Sequence, residues 1–356
     1  MTATAQRNDH MKIRTVISLF VVLLVPGAMN LHAQIPYDDW RVGIKAGNAL
    51  MTDSLAAFGI RPDATSDYDN AYDIPRPPRA PSGAYLETYF PHSGGSYPPL
   101  LGSKYASDIQ GPSDPTWSFS VEASANGPIV LTWDSMYVQS TEARVQLFLL
   151  DQLSGTSVDM RASGRYVFTY TAKRDFQIIG AVKVNLTFLM EGFWNGATQV
   201  QDSVTGLLAQ SAPPHLLVDS TKVLLSNAGT GLLVFASAPT GAYYLVVRHR
   251  NHLEVWSSII LSLTKGTTSA LSPYDFSASG GSAYGSGALK QSGSMFVAWG
   301  GDVNQDGVID YRDRNLTWNN RGQAGYLSTD CDGSNVTDGS DYTIVLDNRL
   351  KIVQRP

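Results

Sequence analysis

The sequence predicts a mainly β fold, in which tandem antiparallel β-sandwiches are followed by a small α-helical calcium-binding module. Short segments of alternating apolar and polar residues recur about every ten residues through the middle of the chain, which is typical of antiparallel sandwiches. Two aspartate-rich loops follow near the end of the chain. A composition of 32 glycines, 18 prolines and 17 tyrosines, with only 16% charged residues, is typical of β-rich extracellular proteins.

Charge and cysteine content exclude some classes of protein. The 356 residues carry a formal net charge of −5 without a long basic run, so nucleic acid is not expected as a partner. Cys331 is the only cysteine, so no intrachain disulfide can form. Rigidity must come from hydrophobic cores and bound calcium. A free thiol is the expected state of Cys331, with an intermolecular bridge as the alternative.

Residues 1–33 have the pattern of a signal peptide. Basic residues precede an apolar run at 16–25, and a cleavage site is expected just before Gln34. The run is shorter than the roughly 20 apolar residues that a membrane-spanning helix needs. We therefore expect a mature chain that is secreted or attached to the cell surface and does not span the membrane.

Residues 34–115 are expected to be mostly irregular. The proline- and aspartate-rich run at 62–81 predicts turns and polyproline conformation. One strand is expected at 85–90, where apolar and polar residues alternate.

Two β-sandwiches are predicted next, at 116–181 and 182–276, because each range contains several short alternating segments separated by turn residues. The glycine- and serine-rich stretch that follows, 277–300, is expected to be a flexible linker, with docking of 295–299 as an edge strand as the alternative for its last part. It leads to the calcium module at 301–356.

The calcium prediction depends first on the stretch 301–313, GDVNQDGVIDYRD. Counted from Asp302, oxygen ligands fall at positions 1, 3, 5, 7, 9 and 12, and Gly307 stands at position 6, where the loop must turn sharply. This is the spacing of an EF-hand loop, in which about six to eight oxygens surround Ca²⁺. The expected ligands are Asp302, Asn304, Asp306, Val308 through its carbonyl, Asp310 and Asp313.

A second loop with this spacing begins 28 residues later. It supplies a neutral serine oxygen at position 5, Asn335 replaces the turn glycine, and Thr337 replaces the apolar residue that Ile309 provides at position 8. Loop two is therefore expected to be the weaker site. Its expected ligands are Asp330, Asp332, Ser334, Val336 through its carbonyl, Asp338 and Asp341.

Two such loops, each closed by aspartate and followed by a candidate helix at 312–320 or 341–350, resemble a type I dockerin module. The resemblance covers 301–352 and implies two bound Ca²⁺ ions. It also implies a partner, either a cohesin-like scaffold or the β-sandwich of a neighbouring copy. In dockerins the residues at loop positions 10 and 11 contact the partner, and here they are Tyr311, Arg312, Gly339 and Ser340.

The chain from about Ala181 onward also resembles exported proteins of environmental Gram-negative bacteria, in which a small β-sandwich precedes a dockerin-like pair. The stretches EGFWNG and YYLVVRHRNHLEVWS carry this resemblance. It concerns architecture, and no catalytic residue follows from it.

Other patterns are less specific. There is no HExxH, GxSxG or phosphate-binding glycine loop. A basic cluster at 248–252 could bind an anion or a sugar carboxylate, or could form a solvated strand edge. Several Asp-Ser pairs resemble the O-glycosylation signal of exported proteins in some Gram-negative bacteria, with Ser54, Ser135, Ser203 and Ser220 as the candidate residues.

Three classes of function follow from these features. The preferred class is a non-catalytic secreted or cell-surface structural protein, stabilised by calcium and able to assemble into extracellular filaments. The alternative is an accessory, carbohydrate-binding or dockerin-bearing component of a polysaccharide-degrading complex. That alternative needs exposed aromatic side chains on one sandwich face, for which Trp194, Tyr243 and Trp256 are candidates, although the core is the expected place for these rings. The third class is a hydrolase with an unrecognised site.

Overall fold

The computed structural model describes residues 34–92 and 94–356, so the predicted signal peptide, residues 1–33, lies outside the described residues. From Gln34 to Pro356 the chain forms one compact unit. The strands are β1 Trp40–Gly47, β2 Thr52–Ile60, β3 Leu86–Pro91, β4 Lys104–Tyr105, β5 Ser107–Gln110, β6 Trp117–Ala123, β7 Gly127–Thr132, β8 Phe148–Asp151, β9 Ser157–Asp159, β10 Arg165–Tyr170, β11 Arg174–Ile179, β12 Val182–Thr187, β13 Ser203–Gln210, β14 Leu217–Leu224, β15 Thr230–Phe235, β16 Gly241–His249, β17 His252–Trp256, β18 Leu261–Leu263, β19 Ser272–Asp275, β20 Leu289–Ser292 and β21 Met295–Ala298. The helices are α1 Ser135–Ser140, α2 Tyr311–Asn319 and α3 Gly339–Asp347, with short 3-10 turns at Pro99–Leu101 and Gly280–Ser282.

The first β-sandwich consists of two sheets with the strand orders β10-β7-β1-β2-β5 and β4-β3-β6-β11-β8-β9. Trp117 packs between them, with its ring centroid 5.6 Å from that of Trp40 and 5.0 Å from that of Phe58. Elsewhere in the core, Phe168 and Phe176 join the two sheets at 5.2 Å. All five rings are buried, which confirms the predicted mainly β, sandwich class.

The first sandwich begins much earlier than 116, and the expectation that 34–115 is mostly irregular is wrong. This segment contributes β1 to β5. β1 alternates cleanly, with Trp40, Val42 and Ile44 buried and the residues between them exposed. The alternation of β1 is easily overlooked beside a proline- and aspartate-rich run, because only its pairing with β2 and β7 makes the strand part of a core.

Part of that segment does match its prediction. The strand expected at 85–90 is present as β3, and the run 62–81 is largely loop. Arg76 holds the loop to β2, since its Nη2 lies 3.0 Å from Oδ2 of the buried Asp53.

The second β-sandwich pairs the sheet β15-β12-β19 with the sheet β14-β13-β16-β17, to which β18 adds by pairing with β16. Its core contains Val184, Leu186 and Leu233 from the first sheet and Val204 and Leu245 from the second. The expectation of purely antiparallel sheets is wrong for two strand pairs. β2 with β5 and β12 with β19 run parallel. Parallel pairs need long crossover connections, which local turn patterns do not predict.

The stretch 277–300 is not a flexible linker. β20 and β21 form an antiparallel ribbon in which Leu289 pairs with Ala298, and both side chains are buried in the second core. Gly293 turns the ribbon with a φ of 62°, a conformation that glycine adopts without strain. The glycines and serines form turns, while the apolar residues between them anchor the stretch to the sandwich.

No helix among the described residues is both long enough and apolar enough to cross a membrane.

Candidate metal centre

Loop one is organised by the carboxylate at position 12, Asp313, which is completely buried. Its Oδ1 accepts hydrogen bonds from the backbone N–H groups of Val303 (2.9 Å) and Asn304 (3.2 Å). Its Oδ2 accepts a third from the N–H of Asp310 (2.9 Å). The loop is therefore wrapped around this one carboxylate by its own backbone.

Position 1 of loop one carries Asp302, which is 2% exposed. Its Oδ2 accepts the N–H of Gly307 at 3.1 Å, whereas its Oδ1 is buried and has no hydrogen-bond partner. A buried carboxylate oxygen without a partner is costly, so the arrangement fits a cation bound at Oδ1. Gly307 has a φ of 88°, the left-handed turn that position 6 requires.

In loop two, 28 residues later, backbone N–H groups donate to the position-12 carboxylate in the same way. Asp341 is completely buried and accepts hydrogen bonds from the backbone N–H groups of Cys331, Asp332 (3.1 Å) and Asp338 (2.7 Å). These donors stand at positions 2, 3 and 9, the same positions that serve Asp313 in loop one.

The aspartate at position 1 has the same hydrogen bonding in both loops. Asp330 is 2% exposed, its Oδ2 accepts the N–H of Asn335 at 3.2 Å, and its buried Oδ1 has no hydrogen-bond partner. Asn335 has a φ of 70°, so asparagine makes the turn that glycine makes in loop one.

Short turns orient the predicted ligands at positions 3 and 5. In loop one, Asn304 Oδ1 accepts the N–H of Asp306 (2.9 Å), and Asp306 Oδ1 accepts the N–H of Val308 (3.0 Å). The equivalent bond in loop two joins Asp332 Oδ1 to the N–H of Ser334 (3.0 Å). The same local conformation therefore holds the oxygens of both loops.

Each loop ends in a helix that its ninth residue caps. Asp310 caps α2 and Asp338 caps α3, and each forms a capping box with the aspartate at position 12. The helices begin slightly before their predicted starts, at Tyr311 and Gly339, because these caps set the first turn.

Burial raises the pKa values of the carboxylates at positions 1 and 12 of both loops. The pKa of Asp302 rises to about 7, mainly through burial and then through the charge of Asp313. Burial raises the pKa of Asp341 to about 6. In loop two, one ligand atom each of Asp330, Asp332 and Asp341 lies within 4.8 Å of the others. Several carboxylates with only oxygen ligand atoms fit a hard divalent cation such as Ca²⁺. A bound cation would favour the ionised form of these carboxylates.

Position 8 ties each loop to the segment that follows the other loop's helix. The N–H of Ile309 donates to the carbonyl of Lys351, and the N–H of Thr337 donates to the carbonyl of Gln323, both at 2.9 Å. The hydroxyl of the buried Thr337 forms a hydrogen bond with the hydroxyl of Thr329, at 2.7 Å. A polar residue is thus accommodated at position 8 of loop two, and the weaker affinity of that loop stays a prediction.

The two loops rest on the second sandwich. Val303, Ile309, Cys331 and Val345 of the loop–helix pair share one small core with Leu253 of β17. The pair therefore completes its core with the sandwich, as expected for a unit too small to bury enough apolar surface alone.

The EGFWNG turn packs closely against loop two. Gly192 has a φ of 79°, and a Cβ at this position would lie 2.5 Å from the carbonyl oxygen of Cys331. A Cβ on Gly333 would lie 2.8 Å from the ring of Phe193. Glycine at both positions permits this approach.

The basic cluster at 248–252 belongs to this junction and is neither a solvated strand edge nor an open anion site. His249 is 3% exposed and His252 is completely buried, and Arg250 donates to the carbonyl of Asp330 at 3.1 Å. Arg248 faces solvent and pairs with a glutamate of β17. The sequence could not indicate this, because the contacted loop lies 80 residues further along the chain.

The predicted partner-contacting residues lie at the starts of the helices and are exposed. Tyr311 is 60% exposed, and the side chain of Arg312 is also 60% exposed. Trp318, two helical turns after Tyr311, is 49% exposed and packs against Tyr342 with ring centroids 5.2 Å apart. The corresponding exposed residues of loop two are Gly339 and Ser340.

The four glycosylation candidates differ in accessibility. Ser54 and Ser220 are exposed, whereas Ser135 and Ser203 are half-buried. Modification at these positions stays a prediction.

The aromatic residues proposed for polysaccharide binding do not form an exposed row. Tyr243 is 5% exposed and Trp256 is 6% exposed, and both pack against other buried side chains. Trp194 is half-buried. The expected burial in the core is thus confirmed for Tyr243 and Trp256.

One pair of carboxylates lies close together on the first sandwich. Glu87 of β3 stands opposite Glu122 of β6. Arg79 lies 2.9 Å from an oxygen of each, and Lys104 lies 2.8 and 3.2 Å from them. The hydrogen bond from Arg79 lowers the pKa of Glu87 to about 2, so this is an ion-pair network and lacks the raised pKa of a glycosidase acid.

Comparison with known proteins gives little. No protein-family model matches the chain, and no curated protein matches it. Two solved structures that resemble part of it are interface mutants of a type II cohesin–X–dockerin complex from Acetivibrio cellulolyticus. The C-terminal interface mutant is 14% identical with a TM-score of 0.29, over 48% of this chain and 96% of that one. The N-terminal interface mutant is 15% identical with a TM-score of 0.26, over 48% and 95%. Similarity at this level supports no conclusion about fold or function.

Proposed function

We propose that this chain is a non-catalytic, exported assembly protein whose dockerin-like terminal module binds two Ca²⁺ ions and attaches to a β-sandwich partner. One observation carries the proposal: Asp302 and Asp330, at position 1 of two equivalently folded loops, each keep a buried carboxylate oxygen free of hydrogen bonds. Export is supported by the sequence pattern of residues 1–33.

Each ion would be held by the side chains at positions 1, 3, 5, 9 and 12 and by the carbonyl at position 7. Bound Ca²⁺ supplies positive charge that offsets the repulsion between the carboxylates of one loop. The chain contributes preorganisation, because backbone N–H groups already fix Asp313 and Asp341. Little conformational freedom is then lost when an ion binds.

The partner would bind the face of α2. Tyr311 and Trp318 are separated by two helical turns and so lie on one side of the helix, with Arg312 beside them. Exposed aromatic and arginine side chains are the groups that most often carry the energy of an interface. Gly339 and Ser340 offer little side chain, so binding through α2 should dominate over the equivalent face of α3.

The proposed partner is a β-sandwich, either on a separate cohesin-like scaffold or on a neighbouring copy of the chain. In the second case the contact is heterologous, and repeated copies form a filament if the contact does not close. The module is packed on its own second sandwich through Leu253, so such a filament would join rigid bodies instead of tethered ones.

Thermal unfolding of the chain from Gln34 onward, with calcium and with EGTA, tests the calcium part of the proposal. A ligand present at a hundred times its Kd stabilises the folded state by about 2.7 kcal/mol. In a folded unit of this size that raises Tm by roughly 4 °C for each ion. Equal unfolding temperatures in calcium and in EGTA would refute the proposal.

A further inference from the structure

Arg250 lies between the second sandwich and the second loop. It follows β16, and its side chain is 14% exposed. Its Nε lies 3.1 Å from Oδ2 of Asp202, and its Nη1 donates to the carbonyl of Asp330 at 3.1 Å and also to the carbonyl of Leu327. Its Nη2 lies 3.5 Å from Oδ2 of Asp330. One guanidinium therefore engages both the main chain and the side chain at position 1 of loop two.

Neighbouring groups hold Arg250 in this position. The buried Asn251 donates through Nδ2 to the same carbonyl of Asp330 at 2.6 Å. The guanidinium carbon lies 4.3 Å from the ring centroid of Tyr326, whose hydroxyl donates to Asp202 at 2.6 Å. The ring of Phe193 lies on another side, at 5.4 Å. The fork of the arginine is thus fixed by packing and by hydrogen bonds.

Loop one is supported differently at the same place. The carbonyl of Asp302 accepts a hydrogen bond from the side chain of Gln305, within the loop itself, at 2.6 Å. The exposed guanidinium of loop one, Arg312, reaches Asp306 at position 5, at 3.3 Å. The side chain that donates to the position-1 carbonyl therefore comes from the loop itself in loop one and from the sandwich in loop two.

We infer that Arg250 is a positioning residue of the second calcium site, which fixes Asp330 so that Oδ1 stays available to the ion. The inference rests on the proposed calcium binding. Loop two lacks the turn glycine and has a serine at position 5, and Arg250 with Asn251 supplies from outside the order that the loop sequence lacks. Hydrogen-bond partners of metal ligands typically contribute about 10- to 100-fold in metal affinity.

The direction in which calcium affinity changes when Arg250 is replaced distinguishes a positioning role from a purely electrostatic one. A positive charge beside the site, acting by charge alone, would repel Ca²⁺, and its removal would tighten binding. A positioning residue has the opposite effect, since its removal lets Asp330 leave the geometry that binds the ion. Lysine at 250 keeps the charge but not the forked donors, so it tests the geometry directly.

The experiment is calcium titration calorimetry on the chain from Gln34 onward, with the variants Arg250→Met, Arg250→Lys and Arg248→Met. Arg248 is the matched control, because it lies two residues before Arg250, on β16, and pairs with Glu254 of β17 instead of with loop two. We expect Arg250→Met to lose about tenfold or more at one of two sites and to leave the other site within about twofold. Arg250→Lys should lose affinity at the same site, and Arg248→Met should bind like the wild type.

Two outcomes overturn the inference: an unchanged second site in Arg250→Met, or a tighter one. If Arg250→Met does not fold, as judged by near-ultraviolet circular dichroism, Arg250→Lys decides, and wild-type affinity in that variant overturns the inference. A wild-type chain that takes up no calcium refutes the proposed function, and this inference with it. If the wild type and both Arg250 variants bind two ions with the same affinities, only the role of Arg250 is refuted.

Discussion

Asp302 and Asp330 stand 28 residues apart and have the same surroundings: each is 2% exposed, and each keeps one buried carboxylate oxygen without a hydrogen-bond partner. The same interval relates α2 to α3 and their capping residues Asp310 and Asp338. The loop–helix unit is thus present twice in one conformation. The two copies differ mainly in what they pack against.

Calcium should stabilise the chain more at about pH 7.5 than at about pH 5. Without calcium, the folded-state pKa values of Asp302 (about 7) and Asp341 (about 6) lie above the ordinary 3.8, so the folded chain binds more protons than the unfolded chain in this window. The stability of the calcium-free chain therefore falls as pH rises through the window. Calcium binds the ionised carboxylates, so its contribution rises instead. Tm measured in calcium and in EGTA at both pH values gives the two differences, and equal differences would contradict this prediction.

Gly192→Ala should destabilise the junction between the second sandwich and loop two. The added Cβ would lie 2.5 Å from the carbonyl of Cys331, and the positive φ of 79° adds backbone strain. Gly196→Ala is the matched control, since Gly196 lies in the same turn with a φ of 100° and a Cβ there meets nothing within 4 Å. We expect Gly192→Ala to lose about 1–3 kcal/mol more than the control, by denaturant unfolding. Equal losses would mean that the close approach does not matter.

Cys331 should report on the integrity of loop two. It is the chain's only cysteine, is completely buried, and burial raises the pKa of its thiol well above the usual range. A thiol reagent should therefore react slowly in calcium and much faster in EGTA, because loop opening exposes the thiol. Denatured protein gives the fully accessible rate. Fast labelling in saturating calcium would show that loop two is open in the native state, and it would also reopen the possibility of an intermolecular bridge.

Tyr311→Ala combined with Arg312→Ala should abolish calcium-dependent association without changing Tm, because both side chains are exposed. Light scattering of the mature chain in calcium measures association. The matched control is Gly339→Ala with Ser340→Ala, at the equivalent positions of loop two, where a Cβ on Gly339 meets nothing within 4 Å. A wild-type chain that stays monomeric at every calcium level rules out self-assembly and leaves the separate scaffold as the partner.

The fold could be predicted in part from the sequence. Alternation located most strands from Trp117 onward, because each such strand has one face in a core. It failed for β1 and β2, which precede the proline- and aspartate-rich run that dominates the composition of 34–115, and for 277–300, where a few apolar residues among glycines anchor a ribbon. In both cases long-range pairing outweighed local composition.

The candidate site could likewise be predicted only where it depends on local sequence. Spacing alone indicated every proposed ligand, because a calcium loop takes its ligands from twelve consecutive residues or so. The supports of loop two could not be found in this way. Arg250, Leu253 and Phe193 reach the loops only through the tertiary fold, and nothing in their local sequence marks them as neighbours of a metal site.

The most direct test is calorimetric titration of the calcium-depleted chain with Ca²⁺, which counts bound ions and measures their affinities. We expect two ions per chain, and one ion in either Asp302→Asn or Asp330→Asn. Asp302→Asn should lose the tighter ion, because in loop two the hydroxyl of Ser334 donates to the carbonyl of Val336 at 3.0 Å, which engages two proposed ligands with each other. The double variant should bind no calcium, and its Tm should be the same in calcium and in EGTA. A wild-type chain that binds no calcium, or a double variant that still binds two ions, would contradict the account.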